Sequence, residues 1–182
     1  VPRGGVPLGY HIAKNLNMPL ELMVTKKIGH PLSSEVAVGA VSLENHIVDE
    51  RHKLPPAYIE NEIRRIRAAL KESYQKFMGN KAHVDVENKT VIIVDDGVAT
   101  GNTLFAAIKL LRQKNPAKLV GAVPVSPYDT ANKMRKMVDD FICPHILHDF
   151  VGVGMYYNDF SEVSDEEVIQ LLKDANHFEN AA

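Results

Sequence analysis

The sequence has 182 residues, of which 45% are hydrophobic, and this size suits a single domain with an adequate core. The formal net charge is −2, which provides no general field for nucleic acid or an anionic membrane, so we expect neither as a partner. The single cysteine, Cys143, excludes an internal disulfide and a cysteine metal cage, and it favours a cytoplasmic location.

The chain is predicted to begin with the turn Pro2-Arg3-Gly4-Gly5, followed by a helix over residues 5–16. A turn of this kind normally follows a strand. We therefore expect an apolar strand, and a helix, ahead of Val1 in the natural chain. Residues 20–25 are short and apolar, which predicts a buried strand, and residues 26–34 are predicted to be a polar loop.

The middle of the chain is predicted to contain a hairpin and a long helix. Residues 36–43 and 46–48 form the hairpin around Glu44-Asn45. Pro55-Pro56 precedes a helix that ends at Gly79-Asn80.

The second half alternates strands with helices. The predicted strands are residues 90–94, 119–125 and 140–143, and the predicted helices are residues 102–113, 129–137 and one that starts at Ser164 with a capping box. This alternation predicts an α/β fold with a doubly wound, mostly parallel sheet.

The most informative segment is the end of the strand over residues 90–94 and the loop after it. Its letters are Asp95-Asp96-Gly97-Val98-Ala99-Thr100-Gly101-Asn102-Thr103. Backbone N–H groups of such a loop and of the following helix suit a phosphate, and two adjacent carboxylates suit sugar hydroxyls or Mg²⁺. The pattern predicts a ligand that carries a phosphate beside a diol.

Competing interpretations of this loop fail at particular residues. A Walker A loop needs Lys before the Ser or Thr, whereas Asn102 precedes Thr103. The pair Gly152 and Gly154 lacks the third glycine of a dinucleotide-binding fingerprint. A phosphatase or NTPase strand that ends in Asp-Asp does not require the threonine-glycine loop, and neither do acids that only cap a helix.

The string from Val91 to Thr103 resembles the phosphoribosyl-pyrophosphate signature of type I phosphoribosyltransferases. The resemblance extends from Pro2 to about Val168. It implies the fold of that family, with a core over residues 1–148 and with a small hood and a terminal helix over residues 149–182. The long helix before the signature strand resembles a less-characterised branch of the family.

The resemblance also implies roles for the residues of the signature. Asp95 and Asp96 would hold the ribose hydroxyls, act in catalysis and contact Mg²⁺ indirectly, through water or substrate. The loop Gly97, Val98, Ala99, Thr100, Gly101, Asn102 and Thr103 would bind the 5′-phosphate.

Further segments resemble the diphosphate and base subsites. Arg3, Gly4 and Gly5 resemble the pyrophosphate loop, which often contains a cis peptide, and Lys26-Lys27 resembles a basic pair on the diphosphate side. Arg3 and Lys27 would steady the departing pyrophosphate. In the hood, Phe150 and Val151 would contact the base, although Tyr156 stands where purine-salvage members carry an acidic metal contact.

The activity implied by the resemblance is transfer of the 5-phosphoribosyl group from phosphoribosyl pyrophosphate to a nitrogenous base, with Mg²⁺ as cofactor. We expect a homo-oligomer, a dimer. A lid over residues 26–34 or 79–88 would exclude water. The alternative is a regulatory protein of the same fold that binds phosphoribosyl pyrophosphate or a nucleotide and performs no chemistry.

Overall fold

The computed structural model describes residues 1–79, 81, 83–175 and 178. Five helices and eight strands follow one another along the described residues, and short turns of 3-10 helix lie at Glu50–His52 and Val153–Tyr156. The helices are α1 (Gly5–Leu16), α2 (Pro56–Met78), α3 (Asn102–Arg112), α4 (Tyr128–Arg135) and α5 (Asp165–Ala175). The strands are β1 (Lys26–His30), β2 (Ser33–Val41), β3 (His46–Val48), β4 (Thr90–Val94), β5 (Lys118–Ala122), β6 (Val125–Pro127), β7 (Asp140–Ile142) and β8 (His145–Leu147).

The strands form a parallel part and an antiparallel part. Strands β4, β5 and β7 make a three-stranded parallel sheet, and β6 pairs with β8 in parallel. Strands β1, β2 and β3 make an antiparallel sheet. The predicted α/β architecture with a parallel sheet and helices is confirmed, and an antiparallel hairpin sheet precedes the parallel one.

Most predicted elements lie where the sequence indicated them. Helix α1 has the predicted bounds, and α2 begins at Pro56 and ends before Gly79, while Asn80 lies outside the described residues. Strand β4 also has the predicted bounds. The predicted cap of α5 is present, because the Glu167 N–H donates to the Ser164 hydroxyl at 3.1 Å.

Three local predictions were wrong. Lys26–His30 is a strand rather than a loop, because it pairs antiparallel with β2; Ile28 is fully buried there, while Lys26 and Lys27 remain exposed. The apolar run over residues 119–125 breaks into β5 and β6, since the Val123 N–H bonds to Ile142 O and the chain then pairs with β8. Residues 20–25 belong to none of the strand ladders of the described residues.

The core consists of two clusters of buried side chains. The first lies between α1, α2, α5 and the hairpin sheet, and it includes Ile28, Ile66 and Val168. The second lies between β4, β5, α3 and α4, and it includes Ile108 and Leu119. Within the described residues, no helix is both long enough and apolar enough to cross a membrane.

Candidate active site at the carboxyl end of β4

The signature loop leaves the parallel sheet directly after β4. The Asp95 N–H donates to Ala122 O at 3.3 Å, and the Val98 N–H donates to Val125 O at 3.0 Å. These bonds extend the parallel pairing beyond the end of the strand and fix the loop. It therefore lies at the edge of the sheet where ligands of open α/β folds bind.

The second half of the loop presents the start of α3 to solvent. Gly101 has φ of +81°, a conformation that L side chains rarely adopt, and it precedes the first residue of α3. Ala99, Thr100, Asn102 and Thr103 are exposed. The N–H groups of a first helical turn have no partners within the helix and favour a bound anion. This half of the loop is therefore suited to a phosphate.

Helix α4 supports this loop from the side. The Thr130 hydroxyl donates to Ala99 O at 2.8 Å, and Thr130 is buried. Sequence analysis missed this residue, because the two positions are 31 residues apart and neither carries a local signal of the contact.

The turn before α1 packs directly against the two acids. A Cβ atom on Gly4 would overlap the Asp96 carboxylate, and a Cβ atom on Gly5 would lie 2.7 Å from Val94 O. The peptide bond between Pro2 and Arg3 is cis. The two segments that the sequence marked as separate loops therefore form one continuous backbone surface around Asp95 and Asp96.

The acids lie in an environment that disfavours their charge. Burial raises the pKa of Asp95 to about 6; the Val1 ammonium opposes this rise, and the negative charge of Asp96 adds to it. Burial also raises the pKa of Asp96, again against the Val1 ammonium. The Val1 ammonium itself donates to Val94 O at 2.6 Å, and burial lowers its pKa. Hydrogen bonds from ligand hydroxyl groups, or a cation bound with the ligand, would stabilise the ionised form of both carboxylates.

The carboxylates of the site suit the usual mode of Mg²⁺ binding. Within the described residues, no group of three or more His, Cys, Asp or Glu side chains could hold a metal ion. Mg²⁺ often binds through one or two carboxylates together with substrate phosphates and water. The adjacent pair Asp95 and Asp96 fits that mode of binding and does not form a cage made only of protein ligands.

The predicted basic side chains point elsewhere in this structure. The Arg3 guanidinium pairs with Glu162 and also donates to Asp165 at 3.3 Å, and Lys76 pairs with Asp165 as well. Arg3 is thus tied to the start of α5. No local pattern in the sequence indicates these partners, because Asp165 lies 162 residues away from Arg3.

The lysine pair lies on the hairpin sheet. Lys26 and Lys27 are exposed on β1, and Lys27 pairs with Glu35 on β2 with 3.6 Å between Nζ and Oε2. Gly4 and Gly5 contact the acids through their backbone. The two predicted lysines instead face the neighbouring strand or solvent.

The segment after β8 covers part of the loop. The Tyr157 hydroxyl donates to Asp96 O at 2.5 Å, and a Cβ atom on Gly97 would lie 2.5 Å from Val153. Sequence analysis placed both residues in the hood without assigning these contacts. The structure therefore brings the predicted hood segment onto the signature loop.

The predicted base-contacting residues lie farther out on this segment. Phe150 is half-buried and stacks on Tyr156, with ring centroids 5.8 Å apart and an interplanar angle of 20°. Val151 is 81% exposed and Met155 is 72% exposed. This part of the hood segment therefore carries exposed apolar side chains beside a stacked aromatic pair.

Comparison with known proteins identifies the family. The model of the phosphoribosyl transferase domain matches residues 1–159. A protein of Mycobacterium tuberculosis (strain H37Rv) named "Putative phosphoribosyl transferase" is 32% identical over 182 residues, which cover 97% of this chain and 41% of that protein. An adenine phosphoribosyltransferase of Shewanella halifaxensis is 31% identical over 112 residues, which cover 59% of this chain and 52% of that protein.

A solved structure agrees over most of the chain. The crystal structure of TT1426 from Thermus thermophilus matches with a TM-score of 0.86 and 31% identity, covering 95% of this chain and 84% of that one. The chain spans about two fifths of the length of the Mycobacterium relative. The family match over residues 1–159 includes both loops of the site, and the chain belongs to the phosphoribosyl transferase domain family.

Proposed function

We propose that this protein transfers the 5-phosphoribosyl group of phosphoribosyl pyrophosphate to a ring nitrogen of a base and releases pyrophosphate. The observation that carries the proposal is the packing of Gly4 and Gly5 against Asp95 and Asp96. This contact aligns a backbone turn, a pair of carboxylates and a helix start at one edge of the sheet. Phosphoribosyl pyrophosphate has the matching order of groups: diphosphate, diol and 5′-phosphate.

Each part of the site takes one part of the substrate in this proposal. Residues 98–103 hold the 5′-phosphate through N–H groups and the Thr100 and Thr103 hydroxyls. Asp95 and Asp96 accept hydrogen bonds from the 2′- and 3′-hydroxyls. The backbone around Gly4 and Gly5 holds the diphosphate. The base approaches from the side of Phe150.

The reaction breaks the bond between C1′ and the diphosphate oxygen and forms a bond between C1′ and the base nitrogen, which gives up its proton to the surroundings. Positive charge develops on the ribose ring in between. Asp95 and Asp96 stabilise that charge, and the loops orient C1′ toward the base. Mg²⁺ bound to the diphosphate would make pyrophosphate a better leaving group.

Arg3 takes part only if its guanidinium turns away from the start of α5. One partner, Glu162, has a side chain that is 77% exposed, and such exposed ion pairs contribute little free energy, while the other, Asp165, is half-buried and shared with Lys76. A diphosphate carries more negative charge than one carboxylate. We therefore propose that substrate draws Arg3 from Glu162 and Asp165 toward the diphosphate.

The test is release of pyrophosphate from phosphoribosyl pyrophosphate and Mg²⁺ in the presence of single nucleobases. Adenine is the first base to try, because a relative is named an adenine phosphoribosyltransferase. We expect release that depends on one base and that falls by at least about a hundredfold in the variant Asp95→Asn, Asp96→Asn. Tight binding of phosphoribosyl pyrophosphate without turnover on any base would instead identify a regulatory binding protein.

A further inference from the structure

The stretch of the signature loop after Val98 has few attachments to the rest of the protein. The Val98 N–H donates to Val125 O at 3.0 Å, and the next backbone hydrogen bond is that of the Phe105 N–H, inside α3. Between these two, in the described part of the chain, only the Thr130 hydroxyl bonds to the loop backbone, at Ala99 O. This one bond therefore sets the course of the loop just before α3.

The Thr130 hydroxyl does not make the bond that is usual for a threonine in a helix. Such a hydroxyl commonly bonds to a carbonyl three or four residues earlier in the chain. Thr130, in the first turn of α4, instead donates to Ala99 O, 31 residues away, at 2.8 Å. Ala99 is exposed, so water could satisfy its carbonyl without the threonine. Neither group therefore needs the other as a partner, which indicates that the bond serves to position the loop.

The bond fixes the orientation of one peptide group. The peptide between Ala99 and Thr100 is trans, so its C=O and N–H point in opposite directions. Because the C=O is held toward α4, the Thr100 N–H points away from this helix. Thr100 is exposed, and among the described residues its N–H has no hydrogen-bond partner. A free donor is thus directed to the side on which the loop faces solvent.

Both attachments of the loop come from one unit of the fold. Val125 is the first residue of β6, and Thr130 lies in the first turn of α4, which follows β6 directly. Helix α4 is fixed in turn by Ala131 and Met134, whose side chains are fully buried. The loop is therefore held by a strand and a helix that are packed into the core.

We propose that Thr130 is a positioning residue of the 5′-phosphate subsite. Its hydroxyl holds the peptide between Ala99 and Thr100 in the orientation that presents the Thr100 N–H to the phosphate. This role rests on the proposed function, which assigns the 5′-phosphate to residues 98–103. Donors that are fixed before the ligand arrives need no ordering on binding, so a loop without this bond should bind a phosphate more weakly.

Three variants separate the effect of the hydroxyl from that of the side-chain shape. Thr130→Val keeps the branched shape and removes the hydroxyl, whereas Thr130→Ser keeps the hydroxyl. Thr90→Val is the matched control, because Thr90 is exposed at the opposite end of β4 from the loop. The probe is ribose 5-phosphate without Mg²⁺, which carries no diphosphate. Calorimetry below the melting temperature of every variant measures its affinity.

We expect Thr130→Val to weaken the binding of ribose 5-phosphate by at least about tenfold, and Thr130→Ser and Thr90→Val to stay within about threefold of the wild type. The melting temperature of Thr130→Val should fall by no more than about 4 °C. Wild-type affinity in Thr130→Val would overturn the proposal, and so would an equal loss in Thr130→Ser. A wild type that does not bind ribose 5-phosphate would contradict the proposed function itself, and this role with it.

A further variant covers the case in which Thr130→Val does not fold. Thr130→Cys keeps a donor at this position, but a thiol is a weak one. Its affinity for ribose 5-phosphate should be lower than that of Thr130→Ser by at least about threefold. Equal affinities of the cysteine and serine variants would contradict the proposal.

Discussion

Asp95 titrates well above an ordinary aspartate because it is buried at the end of β4. Burial raises its pKa from 3.8 to about 6, against the Val1 ammonium. The unfolded chain therefore loses the proton of Asp95 at lower pH than the folded chain. Between these two pKa values the folded state binds more protons than the unfolded state. The free energy of unfolding therefore decreases as the pH rises from about 4 to about 6.

The substitution Asp95→Asn should remove this pH dependence. The variant has no acid to ionise at this position, so its unfolding free energy should change less than that of the wild type between pH 4 and 6. At pH 7 the variant should be more stable by at most about 3 kcal/mol, and by less than that because Asp95 retains some contact with water. Urea titrations across this range provide the measurement. A variant that follows the wild-type pH profile would show that ionisation of Asp95 does not destabilise the fold.

Arg3 tests whether a side chain paired with α5 also serves the substrate. Arg3→Gln removes one exposed and one half-buried ion pair, so the melting temperature should fall by no more than about 4 °C. The affinity for phosphoribosyl pyrophosphate, measured by calorimetry, should fall by at least about tenfold. Lys76→Gln is the matched control, since it removes the other partner of Asp165 and should preserve affinity. Unchanged affinity in Arg3→Gln would limit Arg3 to anchoring α5.

At the scale of elements, the site depends on close approach between the turn before α1 and the end of β4. Gly4→Ala places a methyl group on the Asp96 carboxylate, and the turn must move to make room. Gly152→Ala is the control, because a Cβ atom there meets nothing within 4 Å and the backbone is extended. We expect Gly4→Ala to lower both the melting temperature and the affinity for phosphoribosyl pyrophosphate.

Circular dichroism melts and calorimetry would measure these effects. Gly152→Ala should melt within about 1 °C of the wild type. If Gly4→Ala behaves like this control in both assays, the turn and the acids do not form one site.

The elements that were predicted well from the sequence carry their own local signals. Strand β4 is a run of β-branched residues that ends in two acids, and α5 begins at a capping box. The signature loop between β4 and α3 was recognised from its letters alone. The contact of Tyr157 with Asp96 was not, because it depends on how a segment 61 residues away folds back.

The elements that were predicted wrongly depend on distant partners. Lys26–His30 looks polar, and it becomes a strand because the register pairs Ile28 with Gly39 on β2. Residues 20–24 have the composition of a strand, but a ladder also requires a neighbour. The composition of a segment is a local property, whereas strand pairing depends on a second segment elsewhere in the chain.

At the scale of the whole molecule, the site lies where the two core clusters meet. The turn with Gly4 and Gly5 leads into α1, which packs on the first cluster, whereas Asp95 and Asp96 follow β4 of the second.

Binding of phosphoribosyl pyrophosphate is the most direct test of the central claim. In a thermal-shift experiment with Mg²⁺, ligand at about a hundred times its Kd should add roughly 2.7 kcal/mol to the stability and raise the melting temperature by about 5–10 °C. The double variant Asp95→Asn, Asp96→Asn should fold and show no such shift. No shift of the wild type at millimolar ligand, or equal shifts in both proteins, would contradict the claim that these acids and their flanking loops form the phosphoribosyl site.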